Sequence, residues 1–219
     1  PRLIAYYDFE PDPTAKRVLR NRAMSGSSLD GAIVGAAWIT GPWPGKRALS
    51  FKRPSDRVRV DLPGEYPSIT LAAWIRVEGI DRSNSSLLLT DAYDEGEMHW
   101  QFRRDGTLIL GIRHSAKSGT NYDSREFINL KRLGRWLHLT TVIDTENRMV
   151  SHYLEGRLLT EKSMKGGGPL RIGGASIGNW DVPLRETNSP IRSLNGSIAE
   201  MMVFGAALSA EEIRRLALR

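Results

Sequence analysis

The residues of this sequence able to do chemistry are closely spaced carboxylates, one serine between glycines, four histidines and a set of aromatics in loop-like stretches. Two carboxylates on alternate positions of a strand would suit glycoside hydrolysis, because side chains two apart share a face. Glu10-Pro11-Asp12-Pro13-Thr14-Ala15 sets two acids two positions apart, but its two prolines exclude a central strand, so it reads as an acidic turn. Gly174-Ala175-Ser176-Ile177-Gly178 matches a nucleophile elbow, which requires a helix directly afterwards and a histidine further on. The stretch Asn179–Glu186 has no helical pattern and the last histidine is His152, so Ser176 reads as a strand or turn residue. His99, His114, His138 and His152 fall on separate predicted strands without zinc-type spacing. No catalytic residues are assigned.

Two sets of residues point to binding instead. The stretch DAYDEGE gathers Asp91, Asp94, Glu95 and Glu97, hard oxygen ligands of the kind calcium takes. Their spacing is not that of an EF-hand, and a solvated acidic hairpin is the other reading; no other cofactor is expected. Sugars need flat apolar platforms with polar groups at their edges. Trp43, Trp180, Tyr122 and Tyr93 lie in predicted loops, and Trp180–Asp181 and Tyr122–Asp123 each set an aromatic beside an acid. These two pairs are the preferred ligand site. Trp43, between glycines and prolines, either joins such a site or plugs one end of the fold. Trp74, Trp100 and Trp136 sit in predicted strands and are assigned to packing.

These groups need elements to hold them, and most of the chain alternates apolar with polar residues. Leu3, Ala5, Tyr7 and Phe9 share one face; Val58, Val60 and Leu62 share another, with Arg57, Arg59 and Asp61 opposite. Strands follow at short intervals over 68–77, 86–92, 99–104, 107–113, 136–144, 149–156, 157–164 and 170–178. Glycines end the turns at Arg104–Gly106 and Leu154–Gly156. A capping box, Ser209 with Glu212, opens a short helix whose apolar stripe is Ile213, Leu216 and Ala217. So many strands without intervening helices exclude a parallel α/β fold. The expectation is all-β: a two-sheet antiparallel jelly-roll sandwich with a short C-terminal helix.

The chain has 219 residues, of which 40% are apolar and 26% charged. That length suits a single sandwich domain over 1–219. Cysteine is absent, which excludes disulfides, thiolate metal sites and cysteine nucleophiles. The net charge of +6 comes from scattered arginines without a nucleic-acid-binding signature, so no nucleic-acid partner is expected. No apolar run approaches the ~18 residues of a membrane span, and no membrane insertion by this fragment is expected. Starting at Pro1 with no leader, the chain reads as a module cut from a longer polypeptide, the remainder of which is a partner.

Seven segments carry a family resemblance: LIAYYDFE, GKRALSFKRPSDRVRV, ITLAAWIRV, GRWLHLTTVID, HYLEGRLL, LRIGGA and the closing LNGSIAEMMVFGAALSAEEIRRL. In this order they resemble a bacterial, three-part laminin-G-like module of the concanavalin A-like lectin/glucanase superfamily. The resemblance implies a non-catalytic, extracytoplasmic module that binds carbohydrate or protein, with a structural or assembly role, or a glycosidase-related activity, as alternatives. It also suggests attachment to a FecR-type sensor protein. Before Glu200 the family pattern has an aspartate where this chain has Ala199, which puts a calcium ion implied by the family in doubt.

Overall fold

A computed structural model describes residues 2–180 and 191–218. The fold is a sandwich of two antiparallel sheets. In the first, sheet A, the order is β14 (Arg157–Ser163), β13 (Met149–Leu154), β12 (Trp136–Asp144), β7 (Ser68–Gly79), β16 (Asn195–Phe204), β5 (Arg47–Phe51) and β4 (Ala37–Thr40), and β1 (Leu3–Tyr7) also pairs with β16. In the second, sheet B, the order is β11 (Ser118–Glu126), β10 (Thr107–Ser115), β9 (Met98–Arg103), β8 (Asn84–Thr90), β15 (Leu170–Ile177), β6 (Arg57–Tyr66), β3 (Gly31–Val34) and β2 (Val18–Leu19). Consecutive strands often sit far apart or in opposite sheets, as in a jelly roll.

Alternation drives the layering. Along β7, Ile69, Leu71, Ala73, Ile75 and Val77 enter the core, and from β9 Met98, Trp100 and Phe102 meet them. The predicted face of β6 is buried, and on the first strand Ala5, Tyr7 and Phe9 are buried as expected, while Ile4 rather than Leu3 enters the core because the register shifts between Leu3 and Ala5. One buried polar chain ties the sheets together. Trp100 Nε1 donates to Thr141 Oγ1 (2.9 Å), that hydroxyl lies 2.9 Å from His152 Nδ1, and His152 Nε2 donates to the Tyr122 carbonyl (2.9 Å). Burial holds His152 neutral, with its pKa lowered to about 4.

The closing strand β16 changes partner midway. Gly196–Ile198 pair with β5, and Met201–Phe204 pair with β1, with a register shift between Ile198 and Glu200 on the β7 side. Helix α1 (Ala210–Ala217) follows, with the predicted capping box formed in both directions. Its Ile213, fully buried, packs on Val142, Tyr153 and Leu208, so the helix covers part of the outer face of sheet A.

The 118–126 stretch, expected to contain a loop, is strand β11. It is an edge strand, and only Tyr122 and Ser124 of its nine residues are buried. Alternation is hard to see when so few positions carry an apolar side chain.

Candidate functional site

On β9 the residues between the core positions, His99, Gln101 and Arg103, point out of the sandwich. On β10 Gly111 and Arg113 do the same. His99 is nonetheless only 4% exposed, because two loop aromatics cover it. Tyr93 stacks on the imidazole (centroids 4.1 Å apart, 28° between planes), and Trp180 meets it edge-on (5.2 Å, 69°). Tyr93 takes a positive φ of 54°, a conformation rare outside glycine. Its hydroxyl sits over Gly111, where a Cβ would stand 2.8 Å from that oxygen, so glycine makes room for the ring.

The hydrogen bonds fix the tautomer of His99. Nε2 and Trp180 Nε1 both approach the Thr90 carbonyl, at 3.1 and 3.0 Å, and a carbonyl only accepts. Nε2 therefore carries the proton and Nδ1 is left as an acceptor, 3.3 Å from Arg192 Nη1. Burial first, and the Arg192 charge second, lower the His99 pKa to about 3. The Arg192 guanidinium lies over the Trp180 ring, 4.6 Å from its centroid. Burial lowers its own pKa and raises that of Tyr93. On the far side Arg113 lies 5.9 Å from the Tyr93 centroid. The surround is charge-paired: Arg59 holds Asp91 through two bonds of 2.5 Å, and Arg103 holds Asp123 at 2.8 Å.

Of the residues singled out in the sequence, Trp180 and Tyr93 meet on His99, and Asp123 borders the same face through Arg103. Tyr122 is a correction. It lies in β11, faces the core at 3% exposure, and its hydroxyl bonds both the carbonyl and the amide of Lys165. Alternation explains this, since Tyr122 and Asp123 are neighbours on a strand and point opposite ways. Asp181 lies outside the described residues.

The acidic set of DAYDEGE does not converge. Asp91 is engaged by Arg59, Glu97 accepts the Asp94 amide at 2.9 Å, and Asp94 and Glu95 are exposed. Among the described residues no three His, Asp or Glu side chains are grouped to hold a metal ion. Ala199, where the family pattern has aspartate, is buried against Ala48 and Trp74 on sheet A.

Trp43 belongs to the other face. It meets Trp74 edge-on at 5.7 Å and walls a cavity of about 370 Å³ with Tyr6, Asp8, Glu10, Lys46 and Glu200. Ser176 is a strand residue whose hydroxyl accepts from Arg59. His99, Gln101, Arg113 and Arg192 were not expected at a site. The signal available for the first two was the alternation of HWQFRR, which turns them away from Trp100 and Phe102.

Two face-to-face antiparallel sheets with an aromatic and arginine-bearing outer face define a lectin-like sandwich. The chain belongs to the Laminin_G_3 family of the concanavalin A-like lectin/glucanases superfamily, matched over residues 57–214. Pappalysin-1 of Mus musculus is 28% identical over 145 residues, which span 58% of this chain and 8% of that protein. Among solved structures, the botulinum neurotoxin DC binding domain in complex with rat synaptotagmin II superposes with a TM-score of 0.72 at 12% identity, covering 99% of this chain and 51% of that one. A botulinum neurotoxin type C structure, associated with cell entry dependent on two ganglioside molecules, gives 0.72 at 14% identity, covering 99% and 50%. The serotype D binding domain gives 0.73 at 10%, covering 99% and 51%. The likeness to these toxins is one of fold, and the chain spans about half the length of each.

Proposed function

We propose that this chain is a non-catalytic recognition module, a single domain that binds carbohydrate or protein outside the cytoplasm through the outer face of sheet B. The observation that carries this reading is the Tyr93–His99–Trp180 stack with Arg192 laid against it: ring surfaces, a guanidinium and a carboxamide, Gln101, at one place on a rigid sheet. Membership of the concanavalin A-like lectin/glucanases superfamily supports it, as do neighbours in complex with synaptotagmin II or dependent on two ganglioside molecules for cell entry. Against hydrolysis, the carboxylates bordering this face among the described residues, Asp91 and Asp123, are each held by an arginine. No helix among the described residues is long and apolar enough to cross a membrane. Attachment to a FecR-type sensor is a proposal that the full reading frame tests.

The experiment is a glycan array together with a screen of immobilised extracellular proteins, using the chain and its Trp180→Ala and Tyr93→Ala variants. Binding that both variants lose supports the reading. Binding that neither variant alters moves the site elsewhere, and turnover of any bound polysaccharide overturns the non-catalytic assignment.

A further inference from the structure

Four arginines border the aromatic stack, and they divide into two pairs. Arg59 and Arg103 have carboxylate partners, Asp91 and Asp123. Arg113 and Arg192 have none among the described residues. Arg113 spends one Nη2 bond on the Ala116 carbonyl (2.5 Å). Among the described residues Arg192 reaches only neutral groups, His99 Nδ1 at 3.3 Å and Gln101 Oε1 at 3.4 Å, and its buried Nε has no hydrogen-bond partner. A half-buried guanidinium held by two long bonds to neutral acceptors has lost hydration without gaining a counter-charge from the described residues. His99 supplies no negative charge, since its second nitrogen is already the acceptor.

We propose, resting on the recognition reading above, that the ligand of this face is a sugar ring carrying a carboxylate, held between Arg113 and Arg192 over Tyr93 and Trp180. A carboxylate matches the planar donor fork of arginine and forms charge-assisted bonds with it. It is also the group that neutralises the other two arginines here. A neutral sugar would cover Arg192 further and leave it unpaired. The sugar ring is favoured over an acidic peptide because the charges flank ring surfaces. Asn121 adds a group for hydroxyls, its Oδ1 lying 3.0 Å from where a Cβ on Gly111 would be.

The test compares trigalacturonate with its methyl ester, identical in ring and length but uncharged, by calorimetric titration against the full chain. The free acid is expected to bind about tenfold more tightly or better. In Arg192→Gln and in Arg113→Gln that preference falls towards one, while Arg214→Gln, on the exposed side of α1, retains it. Should Arg192→Gln fail to fold, Arg192→Lys, which keeps the charge but loses the fork, is expected to give an intermediate ratio.

Equal binding of acid and ester overturns the inference and leaves the recognition reading standing. Tighter binding of galactose 6-sulfate than of the uronate overturns the choice of carboxylate. Retention of polyglutamate with no sugar bound overturns the sugar. If neither the array nor the protein screen yields any ligand, both the inference and the recognition reading fail.

Discussion

The outer faces of sheets A and B are built from the same parts and differ in how their charges close. On sheet A, Trp74 sits between Trp43 (5.7 Å) and His138 (5.3 Å), and Arg76 lies 5.2 Å from the Trp136 centroid while pairing with Glu78 at 2.9 Å. Lys46, though buried, directs its ammonium at the Asp8 carbonyl, Glu10 Oε1 and the Arg47 carbonyl. Every cation in that group has a partner. On sheet B the imidazole is as buried and the aromatics as close, yet Arg113 and Arg192 lack carboxylates among the described residues. A histidine between aromatic rings on a central strand therefore marks no site by itself. The distinguishing feature is whether the surrounding charges balance without a ligand.

The largest expected effect comes from exchanging aromatics for alanine on the two faces. Trp74 is 8% exposed and packs against Ala48, Ala199 and Trp43, so Trp74→Ala should cost about 3–5 kcal/mol in urea unfolding. Trp180 is only partly buried, and Trp180→Ala should cost about 1–2 kcal/mol while removing ligand binding. Equal losses of stability would make the sheet B cluster a packing device like its counterpart.

Acid comes next. His99 and His152 have folded pKa values lowered to about 3 and about 4, against 6.5 for the free side chain. Below pH 6.5 the unfolded chain takes up protons that the folded chain refuses, so the stability these groups confer is whole above 6.5. It drains as pH falls towards 4 and then 3. At about 1.4 kcal/mol per pH unit for each histidine, the pair should lower unfolding free energy by up to about 4 kcal/mol between pH 6.5 and 5. His99→Gln should remove half of that slope and leave the His152 half. An unchanged slope would mean that His99 is accessible to protons, and the closed stack with it would have to be abandoned.

Much of the fold is legible in the amino-acid sequence. Strand β6 stands out because Val58, Val60 and Leu62 alternate with Arg57, Arg59 and Asp61, whereas β1 and β7 are legible by their apolar runs, since β7 buries Ala72 and Trp74 as well as its core face. The cap of α1 is as clear, since Ser209 and Glu212 act within one turn. Strand β11 was not legible because it is an edge with two buried residues. At the site, Tyr93 and Trp180 could be picked as loop aromatics, but their meeting on His99 depends on two separate loops folding back over β9. Arg192 reaches Gln101 from 91 positions away. The acidic loop shows the same limit: the partner of Asp91 is Arg59, 32 residues upstream, and local spacing cannot reveal it.

A smaller effect should separate the faces by cover. Helix α1 shields only sheet A, through Ile213 on Val142 and Tyr153. Ser209→Ala removes the cap to the Glu212 amide and should cost about 1 kcal/mol. Ligand affinity on sheet B should stay unchanged in the same variant. A parallel fall in affinity would show that the two faces are mechanically coupled.

The smallest expected effect concerns calcium, and it bears most directly on how sheet B balances its charge. Both oxygens of Asp91 face Arg59, and Glu97 is bonded to the Asp94 amide, so a calcium ion would have to break an ion pair to take Asp91 and would otherwise meet only the exposed, unconverged Asp94 and Glu95. Saturating calcium should therefore move the thermal midpoint by less than about 1 °C. Asp91→Asn should lower the midpoint alike with and without calcium, because what it releases is the Arg59 guanidinium. A calcium-dependent rise that Asp91→Asn abolishes would mean that a metal, rather than arginine, balances the carboxylates of this face, and the contrast with sheet A would then rest on the wrong charges.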